Sequence, residues 1–181
     1  EKIGYARPVV LDSNGAWEAV LENAYDIIVT SEINGEDTLS FKIPYRDGKR
    51  GYIDSEKKIQ IVDDVYKVRT VTDTRDTDGS AVTEVYAEAE FYDLTFSVRK
   101  EERTFEAEYP ETAMAYALEG TEWSVGTVTV RTQRTWTSRS KNALSILRNI
   151  ADLHGGDLVF DCPNRLVHLL TVNGKDSGAL F

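Results

Sequence analysis

The stretch "DTRDTDG", Asp73 to Gly79, invites a calcium reading, because Asp76, Asp78 and Gly79 fit part of an EF-hand loop. That loop needs an oxygen-bearing residue in first place and a bidentate glutamate in twelfth. Here Thr74 and Val85 hold those places, and strand-like sequence flanks the loop where helices are required. The stretch reads as a polar hairpin tip. His154 falls in the last turn of a helical pattern, where a cation meets the helix dipole. His168 alternates between Val167 and Leu169 in a strand pattern, and both imidazoles read as structural. Cys162, the single cysteine, excludes an internal disulfide and, with only two histidines, leaves no Cys/His zinc set. Beside Pro163 it lacks an activating base.

Glu101, Glu102, Glu106 and Glu108 offer paired carboxylates. A glycosidase needs two at a set separation across a cleft, which adjacency in sequence does not supply. "RTQRTWTSRSK" gathers Arg131, Arg134, Arg139 and Lys141 around Trp136. Such interleaving can stack on single-stranded nucleic acid. It reads here as a solvated face, or one that meets an acidic patch on a neighbouring subunit. No catalytic, cofactor-binding or metal-binding residue is assigned, and no cofactor is expected.

Composition narrows the classes further. At 181 residues the chain suits one large domain or two small ones, and 41% hydrophobic with 10% aromatic residues can build a core. Acidic residues number 31 against 21 basic, a net charge of -10. That balance disfavours nucleic acid or an anionic membrane surface as the main partner. It suits a protein that must not associate prematurely. Cysteine usage points to folding in a reducing cytoplasm. No apolar run approaches the roughly 18 residues of a membrane span, so stable insertion is not expected. The chain opens on Glu1 without a methionine and stops at "SGALF", which reads as a piece of something longer.

Strand patterns dominate the first half. In "VVLDSNGAWEAVL" two apolar runs flank Asp12-Ser13-Asn14-Gly15, a hairpin turn signal. Tyr25, Ile27 and Val29 alternate with Asp26, Ile28 and Thr30; Leu39, Phe41 and Ile43 alternate with Ser40 and Lys42. "SEINGEDT" joins them, and Pro44 ends the ladder because it has no N–H. Ile59 and Ile61 end at Asp63-Asp64; Tyr66 and Val68, with Thr70 next in register, share a face; Val85, Ala87, Ala89 and Phe91 line the last strand. Closely spaced, hairpin-linked strands argue for a small antiparallel barrel or sandwich.

Beyond about residue 100 helix and strand alternate. "PETAMAYALEG" predicts a short helix, with Pro110 in its first turn, Glu111 on the N-terminal dipole and Gly120 as the stop. "WSVGTVTVRTQRTWT" returns to strand. "SKNALSILRNIADLHGG" predicts the strongest helix, capped by Ser140 and Gly155-Gly156, with Ala143, Leu144, Leu147, Ile150 and Ala151 on one face. A hairpin of "DLVFD" and "RLVHLLTV" turns at Pro163-Asn164. The expected organisation is a β-barrel-like domain over residues 1–99 and an α+β domain over 100–181, incomplete at its C-terminus.

The opening stretch resembles the N-terminal region of phage tail proteins called minor structural protein, prophage endopeptidase tail or tail-associated lysin. The resemblance rests on Leu11-Asp12 with Asn14-Gly15, on Leu21-Glu22-Asn23, and on Asn34-Gly35-Glu36-Asp37-Thr38-Leu39-Ser40-Phe41 with Ile43-Pro44. "AEAEFYDL", "ALEGTEWSVGTV" and "NALSILRNIADLHGGDLVFD" are similar to the landmarks that follow, in family order; Cys162-Pro163-Asn164 departs from the pattern. The resemblance implies a mainly β fold with an α+β part, like the baseplate hub, and a role as a virion structural protein at the tail tip. It implies assembly in the bacterial host cytoplasm and a homotrimeric ring in the full-length protein of a siphophage. The distal tail protein and the tape-measure protein would be its partners, and lytic or host-binding regions would lie C-terminal to this chain. The alternatives are a fragment of a cell-wall hydrolase and a carbohydrate-binding module hinted at by Trp17, Trp123 and Trp136. At least two of these tryptophans are expected in the core.

Overall fold

The computed structural model describes residues 6–97, 101–139 and 141–171. The chain forms two compact units, Glu1–Glu90 and Phe91–Phe181. The first holds β1 (Val9–Leu11), β2 (Trp17–Val20), β3 (Tyr25–Ser31), β4 (Asp37–Pro44), β5 (Lys58–Ile61), β6 (Asp64–Arg75) and β7 (Ala81–Ala89). They make one seven-stranded sheet in the order β2-β1-β5-β6-β7-β4-β3, antiparallel at every pairing. The sheet curls into half a barrel. It does not close as the sequence reading expected: β2 and β3 stay as edges. The edge strand β2 is four residues long, and β3 is regular from Ile28 to Ser31 beyond its bulge.

The turns follow their residues. Gly15, at φ 87, lets Asp12 N–H reach the Ala16 carbonyl at 2.8 Å, and the Asp12 carboxylate accepts from the Asn14 and Ala16 amides. One sheet face is buried: Val10, Ile59, Tyr66, Val68, Ala87, Leu39, Val85, Phe41 and Ile43 are each 2% exposed or less. Register shifts between Val10 and Leu11 in the β1–β2 pairing, where Glu18 is the extra residue, and period-two alternation fails in β3 and β6 as well. In β3, Tyr25 pairs with Lys42 and Ile28 with Ser40, so Asp26 and Ile27 together face one residue of β4. Asp26 takes a φ of 50 there, and Tyr25 moves to the polar face, opposite Ile27 and Val29. In β6 an extra residue, Arg69, lies between Val68↔Ala87 and Thr70↔Tyr86, so Thr70 leaves the face of Tyr66 and Val68.

Polar clamps close the two ends of the buried face. Tyr66 hydroxyl donates to Asp37 at one end. At the other, Arg50 donates to both carboxylate oxygens of Asp73 at 2.7 and 2.6 Å, and fully buried Thr83 donates to Asp73.

The second unit contains β8 (Arg103–Glu108), α1 (Pro110–Leu118), β9 (Ser124–Val128), β10 (Arg134–Ser138), α2 (Ala143–His154), β11 (Asp157–Asp161) and β12 (Leu166–Leu170). β8 pairs with β10; β11 and β12 form the expected hairpin, and β9 joins β12 in parallel. α1 starts on Pro110, carries Glu111 in its first turn, and is followed by Gly120 at φ 77. α2 buries Ala143, Leu144, Ile146, Leu147, Ile150 and Ala151. Its N-cap is Asn142, whose side chain accepts from the Ser145 amide at 2.8 Å, whereas the expected cap, Ser140, lies outside the described residues. Of the tryptophans only Trp123 is buried. Trp17, beyond the register shift in β2, is 67% exposed, and Trp136 is half-buried against Phe105, ring centroids 5.0 Å apart. The expectation of two core tryptophans is not met.

Candidate functional site

The polar face of β3, β4, β7 and β6 carries a groove of about 520 Å³. Two cross-strand rows cross this face, and all their residues but Tyr25 line the groove. One runs Ile28, Ser40, Tyr86, Thr70; the other runs Tyr25, Lys42, Glu84, Thr72. The β3 bulge brings Tyr25 into this second row. Tyr25 hydroxyl donates to Asp76 at 3.0 Å, and Lys42 Nζ lies 3.3 Å from both Asp76 and Asp26. Asp76 comes from the β6–β7 turn, so the turn is clipped down onto β3 and β4. Beside this cluster, Tyr86 hydroxyl donates to Glu88, whose other oxygen accepts from Arg69 Nε, each at 3.1 Å.

The electrostatics decide what such a groove can do. The Thr77 amide, then Tyr25 and Lys42, hold the Asp76 carboxyl below the usual range. Asp76 and then Asp26 push the Lys42 ammonium up. Burial, then Asp76, pushes the Tyr25 phenol up. A nucleophilic lysine or a phenolic base needs the opposite shift. These groups are held in their ordinary charged or neutral states, which suits holding the turn against β3 and β4.

The sequence candidates fall elsewhere and apart from one another. Asp78 closes its own turn by accepting from Ser80 N–H and Oγ at 2.8 and 2.6 Å, as a polar hairpin tip should. Among the described residues no group of three or more His, Cys, Asp or Glu is placed to hold a metal ion. His168 Nδ1 accepts the Thr127 amide at 2.8 Å and ties β12 to β9 where their register shifts. His154 is 4% exposed, its Nδ1 donating to the Thr132 carbonyl at 2.8 Å, while Nε2 is buried without a partner. Cys162 is half-buried in the β11–β12 turn. Glu108 accepts from Thr112, and Glu101 offers its backbone carbonyl to Tyr116. Arg131 pairs with Glu111, Arg134 donates to the Leu153 carbonyl, and Arg139 and Lys141 are exposed.

Reasoning on the sequence missed the groove. Its only local signal is the polar alternation of Ser40 with Lys42 and of Glu84 with Tyr86, which resembles any solvated strand face. Its assembly depends on the β4–β7 and β6–β7 registers and on the Asp26 bulge.

Solved structures of tail proteins share this fold. Prophage tail protein gp18 from Listeria monocytogenes EGD-e matches with a TM-score of 0.72 at 13% identity, over 91% of this chain and 50% of that one. The tail protein from Neisseria meningitidis MC58 matches with a TM-score of 0.61 at 12% identity, over 91% and 50%. The 43 kDa tail protein of prophage MuSo2 from Shewanella oneidensis matches with a TM-score of 0.59 at 10% identity, over 92% and 56%. The chain therefore spans about half the length of these proteins. No curated protein matches it. The fold is that of prophage tail proteins. Residues 8–89 match the prophage endopeptidase tail N-terminal domain and residues 97–169 the prophage endopeptidase tail domain. The chain belongs to the prophage endopeptidase tail family, and its domains are those of a structural component of the phage tail. The family name assigns no catalytic activity to these residues.

Proposed function

We propose that the chain is the N-terminal part of a tail-tip protein of baseplate-hub type. Three copies of the full-length protein close a ring at the end of the tail tube, below the distal tail protein and near the end of the tape-measure protein. The remainder of the polypeptide, absent from this chain, carries the host-binding or lytic regions.

The observation that carries this reading is the open half-barrel, two edge strands and a polar outer face on a fold shared with prophage tail proteins. Edge strands offer backbone donors and acceptors to a neighbour, and head-to-tail contacts between unlike patches close into rings. Light scattering on the full-length protein, with antibody labelling of tails in the electron microscope, tests this reading. A trimer and label at the tail tip are expected. A full-length monomer at the highest soluble concentration, or label along the tube, would overturn it.

A further inference from the structure

We propose that the groove over Ile28 and Tyr86 receives a second copy of this chain, and that what it receives is the basic segment ending in Arg139 and Lys141. The inference rests on the ring reading and gives that ring a surface.

Two observations on the groove side point to a partner. Ile28 is 59% exposed and Tyr86 39%, and they lie in one cross-strand row with only Ser40 between them. Ile28 also belongs to edge strand β3, so the apolar row continues into an unpaired backbone edge. Around it carboxylates outnumber cations: Asp26 and Glu84 line the groove with Lys42, whose ammonium is already paired with Asp26 and with Asp76 of the β6–β7 turn, and beside them Arg69 is paired with Glu88, so Glu84 is the carboxylate left to a partner. The groove therefore disfavours an anionic partner and favours a cationic one.

The chain itself supplies that partner. At a net charge of -10, two copies repel over most of their surface, so a self-contact must be found where positive charge gathers. "RTQRTWTSRSK", with four cations and no acidic residue, is such a place. Arg131 and Arg134 are engaged within their own unit, with Glu111 and the Leu153 carbonyl. Arg139 and Lys141 are exposed just past the end of β10. Groove and segment are unlike patches, so the contact is head-to-tail and propagates from copy to copy until rotation closes it. Ile28 and Tyr86 provide the desolvated centre, and the charge pairs at the rim set register and association rate.

The test is size-exclusion chromatography with light scattering on the 181-residue chain over a concentration series, at low and at high salt. The variants are Ile28→Arg, Glu84→Arg, Arg139→Glu and the double Glu84→Arg/Arg139→Glu. All change exposed positions, and melting curves matching the parent establish that each is folded. Self-association should weaken about tenfold or more in each single variant and on adding salt, and the double variant should recover most of the loss. A parent monomeric throughout, single variants that associate like the parent, or a double variant no better than the singles would each overturn the proposal. Failure here is separable from failure of the ring. If full-length Glu84→Arg and Ile28→Arg proteins still form trimers, the ring stands and this groove is not its contact.

Discussion

The hydroxyl of Tyr66 on β6 lies 3.1 Å from a carboxylate oxygen of Asp37 on β4, reaching across the whole width of β7. Small Ala89, which pairs with Tyr66, leaves room for that reach. Burial, the largest influence, raises the Asp37 carboxyl above the usual aspartate range; the Tyr66 O–H acts against this, and the charge of Asp64 adds to it. The folded state thus holds the Asp37 proton more tightly than the unfolded chain does. Its unfavourable charge is absent below the unfolded pKa of about 3.9, develops as pH rises through that value, and is complete above the raised folded pKa. Asp37→Asn keeps the acceptor for Tyr66 and removes the charge. Its urea midpoint should exceed the parent's at about pH 7 and converge with it at about pH 3. A lower midpoint at neutral pH would show that the ionised carboxylate is the stabilising form.

The β3 bulge depends on Asp26 at a φ of 50. Asp26→Val places a β-branched residue in that conformation and should cost about 1–2 kcal/mol, whereas Asp26→Gly should be tolerated far better. Deleting Asp26 returns Tyr25 to the face of Ile27 and Val29 and removes it from Asp76, so the first unit should lose its cooperative melt. Circular dichroism melts distinguish the three. Equal melting of the valine and glycine variants would mean that the backbone at residue 26 is unstrained.

Gly126 has no room for a side chain. A methyl there would sit 2.5 Å from His168 Cε1 and 2.6 Å from Nδ1. Gly126→Ala must push the ring away and break its bond with Thr127, at a cost of about 1–3 kcal/mol. In a His168→Ala background the same substitution should cost much less, which a double-mutant cycle measures. Equal cost in both backgrounds would clear the imidazole as the cause.

Val62 turns the chain between β5 and β6 at a φ of 55 while 56% exposed. A β-branched residue gains little there and strains the backbone. Val62→Asn should stabilise the chain by about 0.5–1 kcal/mol, since asparagine tolerates this region. Chemical denaturation reads the gain, and a loss would reveal a packing role for the valine.

What was legible in the sequence was local. Pro110, Glu111 and Gly120 fix α1 from within a single stretch, and the apolar face of α2 is visible as Leu144, Leu147 and Ile150. The hairpins at Asn14-Gly15 and Pro163-Asn164 were legible for the same reason. The bulges in β3 and β6 were not, because Asp26 and Arg69 look like ordinary members of an alternating strand and reverse the faces only through their partners' register. Nor was the parallel β9–β12 pairing, which joins Val125 to Val167. The open sheet and the groove share that origin: both are properties of pairings between strands distant in the chain.

The strand order sets a timetable for synthesis. The β1–β2 and β3–β4 hairpins leave the ribosome before the other strands of their unit, yet Val10 of β1 pairs with Ile59, and Leu39, Phe41 and Ile43 of β4 pair with Ala87, Val85 and Thr83 of β7. Both early hairpins must therefore wait, with their apolar sides in water, until most of the first unit has been translated. Such long-range pairing folds slowly and leaves nascent copies on neighbouring ribosomes open to sticking together. Residues 1–80 carry 16 acidic against 11 basic side chains, a modest excess of negative charge that works against contact between those half-made chains until β7 arrives.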